Sequence, residues 1–257
     1  MQLKLLLSIL CFTLLQSAMA QTENVKPTDT IPQHKLNLLK TNITSIPFKN
    51  YSLQYERVLS KTISLALTYR IMPASTIPFK SQLLKAIDDN DPDTKDIIDR
   101  TELSNYAITP EVRFYLGKGY GQGFYIAPFY RYVKFTSNQV PVSYDRVTSG
   151  RQTLNLSGEL KANTGGVLFG AQWLLGKHLC LDWWILGAHY GSGKGDFAAV
   201  ASSPLTPTEQ QQIRETLEDI DIPLTKKTVT VTPSNVAVKV DGPFGGLRGG
   251  ISFGFRF

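Results

Sequence analysis

Much of this chain consists of segments in which apolar and polar residues alternate, as they do along a β-strand with two different faces. Between Ile63 and Ile71, every odd position is apolar or aromatic, and the even positions hold Ser, Ala, Thr and Arg. The stretch from Ser104 to Leu116 alternates in the same way. The segments predicted as strands are Lys35–Thr44, Tyr51–Leu59, Thr62–Met72, Ser104–Leu116, Phe124–Thr136, Leu154–Leu175, Leu179–Tyr190 and Asn235–Phe257.

The connections between these segments predict how the strands are joined. Tight or glycine-rich turns follow the second, fourth and sixth segments, while long connections span Pro73–Leu103 and Gly191–Pro233. A short helix is expected at Thr208–Asp219, within the last long connection. Short turns at one end and longer loops at the other are typical of outer-membrane barrels. We therefore predict an all-β fold, an eight-stranded antiparallel transmembrane up-and-down β-barrel.

The segment Leu154–Leu175 is longer than the about 9 to 11 residues that a strand needs to cross a membrane. Its apolar residues also change parity near Thr164–Gly166. We expect a β-bulge at these glycines, because one extra residue would shift the phase of the strand. The upper half would then project beyond the bilayer.

The first residues have the features of an export signal. Lys4 precedes an apolar run from Leu5 to Leu15, and small residues end the segment at Ala20. This predicts a signal peptide over residues 1–20, a flexible periplasmic leader over 21–34 and an outer-membrane barrel over 35–257. No later stretch approaches the about 18 apolar residues of a spanning helix, and an open sheet edge cannot face lipid.

The last strand predicts how the protein is assembled and where it resides. Ile251, Phe253, Phe255 and Phe257 form an alternating row that ends the printed chain. The row is similar to the terminal assembly signal of outer-membrane proteins, which implies recognition by the barrel-assembly machinery. We expect aromatic girdles near the strand ends, formed by Tyr69, Tyr115, Tyr125, Trp173 and Trp183. The alternative is a soluble lipocalin-like barrel with its apolar face inward, because polarity along one strand does not distinguish inside from outside.

Charge and cysteine content narrow the list of partners. The net charge of +6 includes Lys4, so the exported chain would carry +5. Export argues against nucleic acid as the partner, and the expected partners are outer-membrane lipid and anionic lipopolysaccharide. Only Cys180 lies outside the signal peptide, so no intrachain disulfide is expected.

Several charged residues fall on the polar parity of their strands and are expected in the barrel interior. They are Glu56, Arg70, Glu111 and Arg113, with Asp182, Arg248 and Arg256 as further members. Buried charges have to pair, because an unpaired one is costly. Such a set could form a gated ion path or a structural network. A narrow barrel leaves little room for water, which favours the structural network.

The sequence offers little evidence of catalysis or metal binding. His189 and Ser192 would suit a lipid A-modifying enzyme, the alternative function, but residues three apart on a strand point to opposite faces. The acidic run Asp88–Asp99 lacks the glycine and glutamate of a calcium loop, and we expect a solvated loop there. We expect no catalytic residue, metal or cofactor, and a structural or binding role with long loops presented to an unidentified extracellular ligand.

Short motifs resemble those of a known family. Lys40-Thr41-Asn42-Ile43, Ser52–Arg57 and Thr109–Gly117 are similar to motifs of a family of small outer-membrane barrels common in Bacteroidota, whose domain has no assigned function. The resemblance implies the same fold and location as the strand pattern. It implies no catalytic residues.

Overall fold

The structure, a computed structural model, describes residues 35–76, 80–81, 85, 95, 98–146, 149–220 and 224–257. Within them, nine strands form one antiparallel sheet, which confirms the all-β antiparallel prediction. The predicted signal peptide and leader lie outside the described residues. The strands are β1 (Asn37–Asn42), β2 (Tyr51–Val58), β3 (Ile63–Thr76), β4 (Glu102–Tyr115), β5 (Gly123–Arg146), β6 (Gly150–Leu175), β7 (Leu179–Val200), β8 (Lys226–Val231) and β9 (Asn235–Arg256). A 3-10 helix covers Ile46–Phe48, and an α-helix, α1, covers Pro207–Asp219.

The sheet closes into a ring through its first and last strands. Strands β1 to β7 pair in sequence order, and β7 pairs with β9. β9 then pairs with β1, from Leu38 opposite Arg256 to Asn42 opposite Ser252. β8 pairs with the first part of β9, where Val231 lies opposite Val236. This ninth strand was not predicted, because it lies in a stretch that was expected to be loop.

The two ends of the ring carry different connections. At one end, the turn end, β2–β3, β4–β5 and β6–β7 are joined by residues 59–62, 116–122 and 176–178. The opposite end, the loop end, carries the connection 201–225 with α1, although β5 and β6 are joined there by residues 147–149 alone. In the turn 116–122, Gly119 has a φ of 83°, and a Cβ there would lie 2.4 Å from the Lys61 carbonyl oxygen. Glycine is therefore required at this position.

Helices contribute little to the described fold. None of the helices in the described residues is both long and apolar enough to pass through a membrane.

Near the turn end, apolar side chains face outward and polar ones face inward. Leu67 and Phe169 are 51% and 50% exposed, whereas Glu56 and Arg113 are 0% exposed. We call the outward apolar surface the apolar band. Its larger members include Leu39, Leu53, Tyr55, Leu65, Leu67, Tyr69, Ile108, Phe114, Phe124, Val167, Phe169, Trp173, Trp183, Ile185, Ile251, Phe253 and Phe255.

Towards the loop end, the polarity of the two faces is exchanged. Along β6, inward positions stay even, but they change from Gln172 near the turn end to the buried Leu154 and Leu156 near the loop end. Outward positions stay odd and change from Phe169 to Lys161. The buried apolar cluster at the loop end, the cap core, comprises Val142, Tyr144, Leu154, Leu156, Ala199, Leu205, Ile213, Leu217, Val231, Val236 and Val238.

Helix α1 closes the cap core. Thr206 caps its N-terminus by accepting from the Glu209 backbone N–H, and the Glu209 side chain accepts from the Thr206 backbone N–H in return. Pro207 suits the first helical position, where no backbone donor is needed. Ile213 and Leu217 lie four residues apart and face the core. Arg146 donates to Glu209 from β5, at 2.8 Å, and this hydrogen bond holds the pKa of the Glu209 carboxyl below its usual value.

Three strand predictions need correction at the loop end. β5 continues to Arg146 and β7 to Val200, through residues that were expected to be loop. They extend because both strands pair with the long β6 and bury the cap core between them. The predicted bulge at Thr164–Gly166 is wrong, since Thr164 pairs in unbroken register with Arg131 and Gly191. The apolar residues change face there, while the strand itself stays in phase.

Ile213→Ala should loosen the cap core and leave the turn end intact. Ile213 is 0% exposed, and truncating a buried isoleucine costs about 2–5 kcal/mol. Hydrogen exchange should rise in α1 and β8, with little change in β1 to β4. Glu218→Ala, at an exposed position of the same helix, is the matched control, and its amides should exchange as slowly as those of wild type. Equal exchange in both variants would contradict the assigned core.

Candidate functional site

The interior near the turn end is filled by a network of charged side chains, which we call the ion network. Lys40 of β1 lies at its centre with 1% exposure. Its ammonium donates to Glu56 Oε2 at 2.5 Å, Gln172 Oε1 at 2.6 Å and Asp182 Oδ2 at 2.7 Å. These three acceptors use all three donors of a lysine.

Arg113 of β4 joins the same carboxylates from the other side. Its Nη1 lies 2.7 Å from Asp182 Oδ2 and 3.1 Å from Glu56 Oε2. Its Nε and Nη2 donate to Glu111 Oε1 at 2.7 and 2.5 Å. The guanidinium also lies over the Tyr125 ring, 4.4 Å from its centroid. A planar fork with five donors is suited to several acceptors at once.

Neutral side chains satisfy the remaining carboxylate oxygens. Ser64 and Tyr115 each donate to Glu56 Oε1 at 2.6 Å. Tyr125 donates to Asp182 Oδ1 at 2.7 Å, and the Trp184 indole donates to Oδ2 at 3.1 Å. Buried ion pairs compensate their desolvation only when such additional hydrogen bonds are present.

The charges of the ion network balance. Lys40, Arg113 and Arg248 face Glu56, Glu111 and Asp182, and Arg248 Nη1 lies 3.3 Å from Glu111 Oε2. Together with Ser64, Tyr125 and Gln172, these residues come from each of β1 to β7 and from β9. The network therefore ties together every strand that takes part in closing the ring.

A second group of cations lies further towards the loop end. Arg248 lies over the rings of Phe129 and Trp184, at 4.4 and 4.9 Å. Arg70 donates to Asn105 Oδ1 at 3.2 Å, and Arg131 donates to Thr109 Oγ1 at 3.2 Å. We call Arg70, Arg131, Arg248 and His189 the cationic cluster.

The predicted interior charges thus separate into three places. Glu56, Glu111, Arg113 and Asp182 lie in the ion network, and Arg248 connects it to the cationic cluster, which contains Arg70. Arg256 lies apart at the turn end, where it donates to the backbone carbonyls of Lys35 and Tyr120 at 2.5 and 3.1 Å. It tethers the start of the described chain to the 116–122 turn.

Sequence reasoning missed Lys40 and misplaced two tyrosines. Lys40 could have been found by parity, because Leu39 and Thr41 alternate with it in β1. Tyr115 and Tyr125 were predicted in the aromatic girdles, but they are 3% and 1% exposed and point into the interior. They follow the inward parity of their strands and serve as donors to buried carboxylates.

The residues of the alternative enzyme do not form a catalytic pair. His189 points into the interior, with its ring 6.1 Å from that of Phe129. Ser192 is exposed on the outer face of β7. A nucleophile has to lie within hydrogen-bond reach of its base. Most of the acidic run 88–99 lies outside the described residues, and in the described part of the chain no group of three or more His, Cys, Asp or Glu could hold a metal.

The predicted assembly residues form the seam of the ring. Ile251, Phe253, Phe255 and Phe257 are 37–51% exposed and face outward. The Phe257 backbone exchanges hydrogen bonds with that of Asn37, at 2.9 and 3.1 Å. Phe255 stacks between His178 and Phe257, with centroid distances of 5.3 and 6.3 Å.

Comparison with known proteins gives a family and no activity. Residues 7–197 match DUF3575, a family described as a protein of unknown function. No curated protein and no solved structure matches the chain.

Replacing Lys40 with methionine should strongly destabilise the ring. The change leaves Glu56 and Asp182 with one cation fewer in a dry interior, and breaking a buried pair costs about 3–5 kcal/mol. The free energy of unfolding of the purified protein, measured by urea titration, should fall by that order. Lys194→Met is the matched control, because Lys194 is 74% exposed beside Asp241 and such pairs contribute about 0–1 kcal/mol. Equal losses in the two variants would rule out a dry network.

Proposed function

Since the chain belongs to the DUF3575 family, whose function is unknown, we propose from its geometry that it is an integral protein of the outer membrane. The ring is a transmembrane β-barrel, the turn end lies in the periplasm and the loop end lies outside the cell. Its role is structural or binding. The exported chain is inserted by the barrel-assembly machinery through its last strand.

The observation that carries this proposal is the exchange of polarity along the long strands. Water favours apolar residues inside, as in the cap core, and lipid allows apolar residues outside. At the level of the apolar band, the apolar side chains lie outside and the charged ones inside. A protein surrounded by water would have the opposite arrangement. An exposed apolar surface of this extent indicates contact with another apolar phase.

The height of the apolar band fits a bilayer. Outward apolar positions run from Ile63 to Ile71 on β3 and from Tyr106 to Phe114 on β4. These spans agree with the about 9 to 11 residues of a tilted membrane strand. The lipocalin-like alternative requires the apolar face inside at this level, where the ion network lies.

Aromatic residues lie at both edges of the band. Tyr51, Tyr69 and Tyr190 are exposed at its loop-end edge, where Tyr106 and Tyr132 also lie, with ring centroids 6.0 Å apart. Phe124, Trp173 and Trp183 are exposed near the turn end. Aromatic girdles of this kind are found at the two interfaces of membrane barrels.

Beyond the band, charged side chains cover the outer face. Lys161, Lys194 and Lys239 are 54–75% exposed beside Glu159, Asp241 and Asp196. In the proposed orientation, the lysines of this surface would face the anionic lipopolysaccharide layer. Because the interior is filled by the ion network, the proposal favours a structural or binding role over an open pore.

The variant Leu67→Arg distinguishes a membrane-embedded barrel from a water-soluble one. Leu67 is at the middle of the band and 51% exposed. In water an exposed arginine is nearly neutral, whereas on the lipid face at midplane it costs about 2–4 kcal/mol. We expect less folded protein in the outer-membrane fraction and weaker heat-modifiable migration on gels.

Ser157→Arg, on the outer face of β6 near the loop end, is the control for this change. It should leave both readouts unchanged. If wild type were recovered without detergent, or if Leu67→Arg behaved as Ser157→Arg does, the membrane proposal would fail.

Phe257→Ala should reduce assembly and leave the finished barrel stable. The variant keeps both backbone hydrogen bonds to Asn37 and removes only the terminal ring. Outer-membrane levels should fall and periplasmic precursor should rise, measured by fractionation and blotting. The refolded variant should unfold in urea close to wild type. A large stability loss with normal surface levels would contradict a role in recognition.

A further inference from the structure

The cationic cluster carries more positive charge than its neighbours neutralise. Arg131 and Arg248 are 6% and 8% exposed. Arg248 and His189 both lie against the Phe129 ring, which is two residues from Arg131 on the inward face of β5. Arg70 and Arg131 donate to Asn105 and Thr109, which both point inward from β4. These side chains therefore share one region of the interior.

The ion network does not supply the missing negative charge. Its carboxylates are balanced by Lys40, Arg113 and Arg248. Among the described residues, Arg70 and Arg131 have only neutral acceptors, the Asn105 amide and the Thr109 hydroxyl. Within the described part of the chain, two guanidinium charges thus remain in the interior without a carboxylate, an arrangement that is costly unless an anion is added.

The cluster also contains buried polar atoms without partners. Arg70 Nε, Arg248 Nη2 and His189 Nδ1 are buried and make no hydrogen bond within the described part of the chain. Arg248 is held in place by its two aromatic contacts and by Glu111, so its free edge has a fixed direction. Buried polar atoms without partners are rare, and each calls for an explanation such as an ion.

We propose that the cationic cluster is a binding site for a small oxyanion of the phosphate class. Arginine forks match the oxygens of phosphate with two parallel donors, and several arginines distribute the charge. Arg70 and His189 are only partly buried, so the site is not fully closed. This inference rests on the binding role proposed above and names its ligand class.

Inorganic phosphate is the probe. The full exported chain, purified in detergent, is titrated with sodium phosphate in sodium chloride at constant ionic strength, and binding is followed by calorimetry and by the temperature of unfolding. Wild type should show saturable binding and a rising unfolding temperature. R131Q should weaken phosphate affinity about tenfold or more, since a hydrogen bond to a charged group contributes on that order. K194Q, at the exposed position used above, should bind as wild type does.

A second measurement separates ligand binding from a folding defect. Without phosphate, R131Q should unfold at a higher temperature than wild type, because an unpaired buried charge has been removed. R131K, which keeps the charge but loses the fork, should bind phosphate more weakly than wild type. The inference is overturned if wild type shows no phosphate effect beyond that of chloride, or if heat-modifiable R131Q binds equally well.

These outcomes are distinct from those that test the membrane proposal. If the protein is a heat-modifiable barrel in the outer-membrane fraction but does not bind phosphate, only the anion-site inference is overturned. A chain that binds phosphate in an Arg131-dependent way but is recovered without detergent would overturn the membrane assignment alone.

Discussion

The pairing of Lys40 and Arg113 with Glu56 and Asp182 is the interaction on which the rest of the structure depends. A ring with its apolar residues outside has to fill its interior with polar groups, and buried charges are tolerated only when they are paired and hydrogen-bonded. Here two cations share two carboxylates, and Ser64 adds a neutral donor. The sheet can therefore close with its apolar band facing outward.

The same strands solve the opposite problem at the loop end. There the outer face is charged, and the strands bury Leu154 and Leu156 under α1 as a water-soluble protein would. Long β6 and β9 run through both environments in a single phase, whereas β5 contains a bulge between Ser137 and Val140 and β7 one between Trp184 and Gly187. The fold thus joins a turn end with apolar residues outside and charges inside to a loop end with charges outside and apolar residues inside. The crossing between them marks the outer edge of the proposed membrane.

Between the two halves lies the region where charge is not balanced. Below it, the ion network is neutral, and above it the cap core is apolar. Arg70 and Arg131 have no structural counterion among the described residues. An interior charge without a counterion is better explained by a bound ligand than by a contribution to stability.

The sequence by itself determined the all-β class, the antiparallel order and the face on which Glu111 and Arg113 lie. Alternation has a period of two, so each strand's sequence separates its two faces, although it does not say which of them points inward. The sequence also showed the different polarity of the two halves of β6. We interpreted the change between them as a bulge, although the strand is continuous there.

Only the tertiary structure decided which inward residues meet. Lys40 and Asp182 are 142 residues apart in the chain, and their contact depends on the stagger of the strands around the ring. The same holds for Tyr115 and Tyr125, whose aromatic character indicated a girdle although their hydroxyls were needed inside. Strand β8 alternates Thr with Val, a strand pattern that the sequence analysis left within a loop. The extension of β7 does depend on its neighbours, because Gly191, Gly193 and Gly195 disfavour a strand unless partner strands supply the hydrogen bonds.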